Sequence, residues 1–556
     1  MATNRLPICA LLLFLASSLF LHAQTPTADM PANPPIVPAE IPAALKAVQQ
    51  ADALYRKGDF AAAENAYQAI LSTDAKQFHA RAGLMRTKLE LNKVDEALDL
   101  GKAGQELPGA TAELVAAMGD VYFRLGEMPD AERAYIRAKQ MNRLEMRAWL
   151  GLAQLYDSYS LYRHAYDQLN EAHRLAPDSP EVQREWFGRL PRRERLQALL
   201  EYLGKPHPDS AEVTMGMNLY VNYLKKTLDE PAHRCHQVNR LEKTQTPLEL
   251  LLEDATHVRG YGLKVKLNGQ TNRLMVDTGA SGILLGSAAA RRAGLQEVSR
   301  ISIGGVGDKG RQGGYVAVAK SIRIGDMEFA DCEVSVTDKR SVIGDDGLIG
   351  LDVFSSYLVD MDMPERTLRL SPLPKREGDP TGPATLNTDE DSSREMAQSA
   401  DDSGTAIALP RDRYVAPEMK DWTKVFRFGH QLLMPTWANE KRMLFLLDTG
   451  SSASMISTRA ARQVTKVSSN DMVRVTGLNG NVENVYSADK IMLQFNHFKQ
   501  RNLGLLTIDL AGISRHTGTE VSGLLGFSLL RMMDMKIDYR DGLVDFHYNP
   551  HIEITH

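Results

Sequence analysis

Leu274-Met275-Val276-Asp277-Thr278-Gly279-Ala280-Ser281 and Phe445-Leu446-Leu447-Asp448-Thr449-Gly450-Ser451-Ser452 state one pattern twice: three apolar residues run into Asp-Thr-Gly and two small residues. A short, wholly apolar run that stops at turn-forming residues reads as a buried strand entering a loop. The neighbourhoods match as well. Asn268 and Asn439 each stand nine residues before their aspartate, in a hairpin turn leading to the apolar strand. Downstream come Gly347-Leu348-Ile349-Gly350 and Gly523-Leu524-Leu525-Gly526, whose last glycines lie 73 and 78 residues after the aspartates. Twelve residues further on are Asp362 and Asp538, each opening a polar turn between strand-like runs. An isolated Asp-Thr-Gly arises by chance in about one chain of this length in ten. Agreement over roughly 110 residues marks an internal duplication.

The rest of the 556 residues is organised differently, and the length calls for several domains. Between about 45 and 190 the chain is rich in Ala, Leu, Arg and Glu at helical spacing. Ala63, Ala97, Ala131 and Ala165 are each 34 residues apart, and Gly58, Asn92, Gly126 and Ser160 recur five positions earlier. Tyr67 and Tyr135 lie two periods apart. This resembles the tetratricopeptide repeat, whose helical hairpins need small residues at close approaches and turn formers between helices. Four units are expected, although the first-helix Trp of that repeat is missing. Residues 191–250, with segments such as Gln197–Leu203 and Met215–Leu228, read as a helical connector. The two β-rich copies then occupy 251–372 and 421–550. Between them, 373–420 holds prolines, glycines and acids such as Asp389-Glu390-Asp391, the composition of a flexible linker.

The N-terminus carries Arg5, an apolar run from Ile8 to Leu21, and Ala23 before a Pro-rich stretch. Residues 1–23 are expected to be a cleaved signal peptide and 24–44 a disordered segment, because the run is shorter than the roughly 20 residues of a membrane-spanning helix. Membrane contact is expected only if that segment is retained. Cys9 would leave with it, so Cys235 and Cys332 remain. They are expected as separate buried thiols, with pairing in an oxidising compartment the alternative. Net charge is −5 with no sustained basic run, so nucleic acid is not expected as a partner.

An apolar strand ending in Asp-Thr-Gly, followed by a hydrophobic-hydrophobic-Gly segment, resembles the half-lobe of the aspartic peptidases in their compact retroviral or bacterial style. The resemblance implies a multidomain chain: an all-α repeat solenoid followed by an all-β bilobal peptidase fold, secreted or periplasmic in a bacterial envelope. Asp277 and Asp448 would form one dyad that activates water and protonates the leaving nitrogen. Like charges held close cannot both ionise, so one proton is shared; aspartic proteases are the standard example. Gly279 and Gly450 allow close backbone approach. Thr278 and Thr449 would bond across the axis, and Ser281 and Ser452 would donate to the outer carboxylate oxygens. Neither serine has a histidine pattern that would make it a nucleophile. Gly305, Val306 and Gly307, and Gly477, Leu478 and Gly480, fall where flap hairpins belong, ordinary turns being the alternative. Asp360, Asp362, Asp534 and Asp538 read as turn and strand-edge residues. His257 and His430 stand in no metal-ligand spacing, and no cofactor or metal is expected. The substrate class implied is peptide or unfolded protein, with a protein partner on the repeats. Two rivals remain: an inactive peptide-binding scaffold, and a dyad completed only by homodimerisation.

Overall fold

Four helical hairpins produce the 34-residue period. The computed structural model describes residues 43–229, 233–252, 258–304, 312–337, 346–377, 379, 384–387, 410–470, 472–477 and 480–548. The expected signal segment lies outside these residues, as do His257, Gly305, Val306, Gly307, Leu478 and most of 373–420. Helices α1 (Ala43–Arg56) and α2 (Phe60–Thr73), α3 (Phe78–Glu90) and α4 (Val94–Gln105), α5 (Ala112–Arg124) and α6 (Met128–Met141), and α7 (Met146–Ser158) and α8 (Tyr162–Leu175) form the pairs. The periodic alanines are buried where helices meet. The residues five before them turn the chain with positive φ: +76° at Gly58, 59° at Asn92, 75° at Gly126 and 56° at Ser160. Glycine and asparagine tolerate that conformation; Ser160 is held there, its carbonyl accepting from the Arg413 N–H at 2.8 Å.

Tyr67 and Tyr135 explain the glycines facing them. A Cβ on Gly83 would lie 2.5 Å from the Tyr67 ring, and one on Gly119 or Gly151 would lie 2.5 or 2.3 Å from that of Tyr135. The hydroxyls donate to Asp52 at 2.6 Å and Asp120 at 2.8 Å, which satisfies the polar tips of otherwise buried rings. Helices α9 (Pro180–Phe187), α10 (Arg192–Leu203) and α11 (Ala211–Thr227) follow. The row of hairpins closes on them: the Tyr55 hydroxyl donates to Glu181 at 3.1 Å, and Gly58 lies against the backbone of Pro208.

The helical connector ends earlier than expected. Residues Thr244–Leu252 form a strand whose side chains alternate buried and exposed from Thr244 to Leu248, a period of two that overrides the helical reading to 250. In lobe 1, strands Val258–Leu267 and Gln270–Val276 form a hairpin through Asn268 (φ 49°) and Gly269 (φ 82°); in lobe 2, Gln431–Ala438 and Lys441–Asp448 do so through Asn439 (φ 45°) and Glu440 (φ 70°). Each apolar strand pairs in parallel with its later glycine-bounded strand: Leu274 lies opposite Gly347 and Val276 opposite Ile349, Phe445 opposite Gly523 and Asp448 opposite Gly526.

A shared antiparallel sheet joins the lobes. Strand Tyr357–Asp362 pairs with Met533–Asp538, with Leu358 opposite Asp538, Asp360 opposite Lys536 and Asp362 opposite Asp534. Asp360 and Lys536 are equivalent positions of the duplication, each ten after its glycine, so the pseudo-twofold axis crosses the sheet there. Asp362 and Asp538 cap the turns that follow, accepting from the N–H groups of Glu365 and Asp541, each at 3.0 Å. The described parts of 373–420 are anchored rather than free. Arg376 and Asp379 pair at 2.9 Å, and Asp412 accepts from the N–H groups of Arg163 and His164 at 2.9 and 3.2 Å, capping α8 from outside the helix.

Cys235 and Cys332 form a disulfide, contrary to the expectation of separate thiols. The two cysteines stand 97 residues apart, and the pairing of strand His236–Gln237 with Ala330 and Phe329 brings them together, a contact that spacing alone does not reveal. The bond ties the end of the connector to lobe 1. A cross-link over a loop of about 100 residues is worth about 2–5 kcal/mol. Cys332→Ser is therefore expected to lower the urea midpoint, read by circular dichroism, by an amount matching that loss, with added thiol having no further effect on the variant.

Candidate active site

Two loops from different lobes meet at Asp277 and Asp448. Each carboxyl lies against the glycine of the opposing loop, and the two act directly on each other's protonation. Gly279 N–H donates to Asp277 Oδ1 at 2.8 Å; Gly450 N–H and Ser451 N–H both donate to Asp448 Oδ1 at 3.0 Å. Space excludes a Cβ at Gly450, where it would fall 2.3 Å from the Asp277 carboxyl carbon, and makes one tight at Gly279, where it would lie 3.0 Å from that of Asp448. Behind each aspartate stands its later strand, with Asp277 N–H donating to Ile349 O at 3.0 Å.

Thr278 and Thr449 lock the loops together as expected. Thr278 N–H donates to Thr449 Oγ1 at 3.1 Å and Thr449 N–H donates to Thr278 Oγ1 at 2.9 Å. Each hydroxyl in turn donates to the carbonyl preceding the other aspartate, Leu447 O at 2.8 Å and Val276 O at 3.0 Å. Both threonines are buried, so the bonds are shielded from water.

The serines depart from expectation. Ser281 Oγ donates to Asp352 at 3.0 Å instead of to the dyad, and Ser452 is exposed on the surface of its loop. Backbone N–H groups already fill the places assigned to those hydroxyls. Asp352, which the sequence reading passed over, is fully buried and also accepts from Gly282 N–H at 3.2 Å. Its signal is a lone acid inside the apolar run Leu348-Ile349-Gly350-Leu351-Asp352-Val353-Phe354. The equivalent position in lobe 2 is Ser528, and there Gly526 N–H donates to Ser454 Oγ at 3.0 Å.

Burial raises the pKa of Asp277 and, joined by the charge of Asp277, drives that of Asp448 well above the carboxylate range. The pair therefore keeps one proton where free carboxylates have lost theirs. Burial also pushes Asp352 up to about 7, against the pull of Ser281, Gly282 and the Arg427 charge. His430, set aside as a metal ligand, comes to the site from the turn of the first hairpin of lobe 2, where the Gly279 backbone favours its protonated form. Burial, with the charges of His516 and Arg427, depresses it to about 4.

Of the candidate flaps, Gly477 pairs with Gly480 and Thr476 with Asn481 in an antiparallel ladder, continued by Val482 N–H donating to Val475 O at 2.9 Å. In lobe 1, strands Glu297–Ile303 and Gln312–Ile324 pair up to Ile303 and Gln312, and Ile303 packs on Met275, Leu284 and Leu348 beside the dyad loop.

A profile of the aspartyl protease family matches residues 263–353 and 434–529. No curated protein is matched by the sequence. Among solved structures, an aspartic proteinase from Irpex lacteus is 12% identical with a TM-score of 0.33, over 55% of this chain and 98% of that one. A thermophilic tetratricopeptide-repeat protein of Thermus thermophilus is 19% identical with a TM-score of 0.27, over 33% of this chain and 99% of that one.

Because Asp352 holds its proton up to about 7 in the fold, while an unfolded aspartate releases it near 4, the native state binds the extra proton between those values. Its contribution to stability is complete below pH about 4 and is lost as pH rises through 7. Asp352→Asn is expected to flatten the fall in unfolding free energy over that window by about 1.4 kcal/mol per pH unit, measured by urea titration at pH 4, 5.5 and 7.

Proposed function

We propose that this aspartic-protease-like, tetratricopeptide-repeat-like protein is an aspartic endopeptidase whose dyad is completed within one chain. The observation that carries the reading is the buried pair of Asp277 and Asp448, each held by backbone N–H groups and each against the opposing loop's glycine at the junction of two lobes. A water between the carboxyls would lose a proton to the ionised one as its oxygen attacks the peptide carbonyl carbon. The protonated carboxyl would give its proton to the carbonyl oxygen. Collapse of the resulting diol would break the C–N bond: the carboxyl protonated by the water would give that proton to the departing nitrogen while a diol hydroxyl returns its proton to the other carboxylate, so the dyad ends with one proton as it began. A scaffold released from catalysis has no physical need for a buried carboxyl pair that costs solvation energy.

Two further parts of the reading have separate support. The Cys235–Cys332 bond fits an oxidising compartment outside the cytosol, in keeping with a cleaved leader. A groove on the repeats lined by Phe78, His79, Glu113 and Glu145 suits a polypeptide partner or substrate segment.

Purified protein is expected to cleave denatured protein at acidic pH as a monomer by sedimentation. Asp277→Asn and Asp448→Asn should each lower kcat by about a hundredfold or more. Parental cleavage rates in both variants would refute the assignment, and activity confined to a dimer would refute the one-chain dyad.

A further inference from the structure

The first hairpin of lobe 2, strands Phe426–Phe428 and Gln431–Ala438, touches two parts of the protein at once. On the repeat side, the Phe428 ring lies edge-on to Phe123 with centroids 6.0 Å apart, and Phe426 lies 5.4 Å from Tyr159. Between them Arg427 is buried; its Nη1 donates to the Tyr162 hydroxyl at 3.1 Å and to Tyr539 O at 3.0 Å, and its Nε donates to Gly429 O at 2.9 Å. Phe123, Tyr159 and Tyr162 stand at the turns of the third and fourth helical pairs. Those turns are themselves fixed to lobe 2, because Phe123 O accepts from Thr519 Oγ1 at 2.6 Å and Gly126 lies against Leu444.

On the catalytic side, the same guanidinium acts on Asp352, the acid that receives Ser281 and Gly282 from the loop of Asp277. Strand Gln431–Ala438 of the hairpin pairs with the strand that ends in Asp448, Leu433 opposite Leu446, and the Gly279 backbone of the Asp277 loop acts on His430 at the hairpin turn. The charged groups facing this hairpin include Asp157, Asp352, His516 and Arg442, whose guanidinium lies 5.9 Å from the Phe426 ring centre. A planar guanidinium fixed by two carbonyls and a phenol has little freedom, so displacement of its repeat-side partner is passed to the hairpin as a whole.

We propose that the repeat module braces the dyad: Phe123, Tyr159 and Tyr162 hold the 426–434 hairpin so that Arg427 and His430 keep the Asp277 loop of the opposite lobe in register. Arg427 is then a positioning residue, and the repeats form part of the catalytic framework as well as a surface for partners. This rests on the peptidase reading above.

The test uses the full chain and denatured-protein cleavage across pH 3 to 7, with Tyr162→Phe, Arg427→Lys and Arg427→Gln. Tyr162→Phe removes one oxygen from a half-buried ring and should lower kcat three- to tenfold with KM within twofold of the parent. Its acidic limb should move to higher pH, because N–H groups that fit the carboxylate less well stabilise its ionised form less. Arg427→Gln should do the same more strongly, and Arg427→Lys should fall between. If Arg427→Gln does not fold, Tyr162→Phe alone decides. An active parent beside a folded Tyr162→Phe variant with parental kcat and acidic limb overturns the brace, whatever happens to its melting temperature, and leaves the peptidase reading standing. An inactive parent overturns the peptidase reading and the brace with it.

Discussion

The two threonines at the lobe junction decide whether there is a site at all. Each supplies a hydroxyl that accepts from the other's backbone N–H and donates to the carbonyl before the other's aspartate. The bonds form a closed set with no water in the count, and a buried donor deprived of its acceptor costs about 1–3 kcal/mol. Loss of either hydroxyl therefore orphans an N–H and a carbonyl in the opposite lobe. The glycines allow the loops to approach, but the threonines fix the distance. Only at that distance do the carboxyls repel strongly enough to retain a proton.

Around this junction the duplication is only partly symmetric. The shared sheet keeps the axis, passing between Asp360 and Lys536, and the paired parallel strands behind the aspartates are alike in both halves. The surroundings are not. Lobe 1 has the buried acid Asp352 behind its loop and a disulfide on its rim, whereas lobe 2 has Ser528 at the equivalent place and carries the helical repeats on its first hairpin. Two halves that share a core have thus taken on different neighbours, and the charge of Arg427 connects one half's scaffold to the other half's loop.

What could be read in the sequence was what local patterns encode. The period of 34 locates four turns because each needs a left-handed residue, and Gly58, Asn92 and Gly126 announce it chemically. The repeated Asp-Thr-Gly locates both loops because each glycine stands against the opposing carboxyl, with no room for a Cβ at Gly450 and little at Gly279. The failures share a physical cause. The Cys235–Cys332 bond and the capping of α8 by Asp412 are contacts between residues far apart in the chain, with no local period to betray them. Ser281 was read by its nearness in sequence to Asp277, but its hydroxyl meets Asp352, which arrives from the helical turn Leu351–Phe354, 71 residues away. The strand at Thr244–Leu252 was overshadowed by the helices before it, although its alternation was present.

The closure of the repeat row has a consequence for how this architecture can vary. In an open array each unit touches only its neighbours, so a unit gained or lost changes length by a step and little else. Here α1 meets α9, the third and fourth turns meet lobe 2, and α11 leads through the disulfide into lobe 1. A ring of contacts has no slack for an added segment: one extra 34-residue unit would have to open either the Tyr55–Glu181 contact or the seat on Phe426 and Phe428. The module behaves as a strut of set length, and its tolerance for change lies in the faces of its helices instead of in their number.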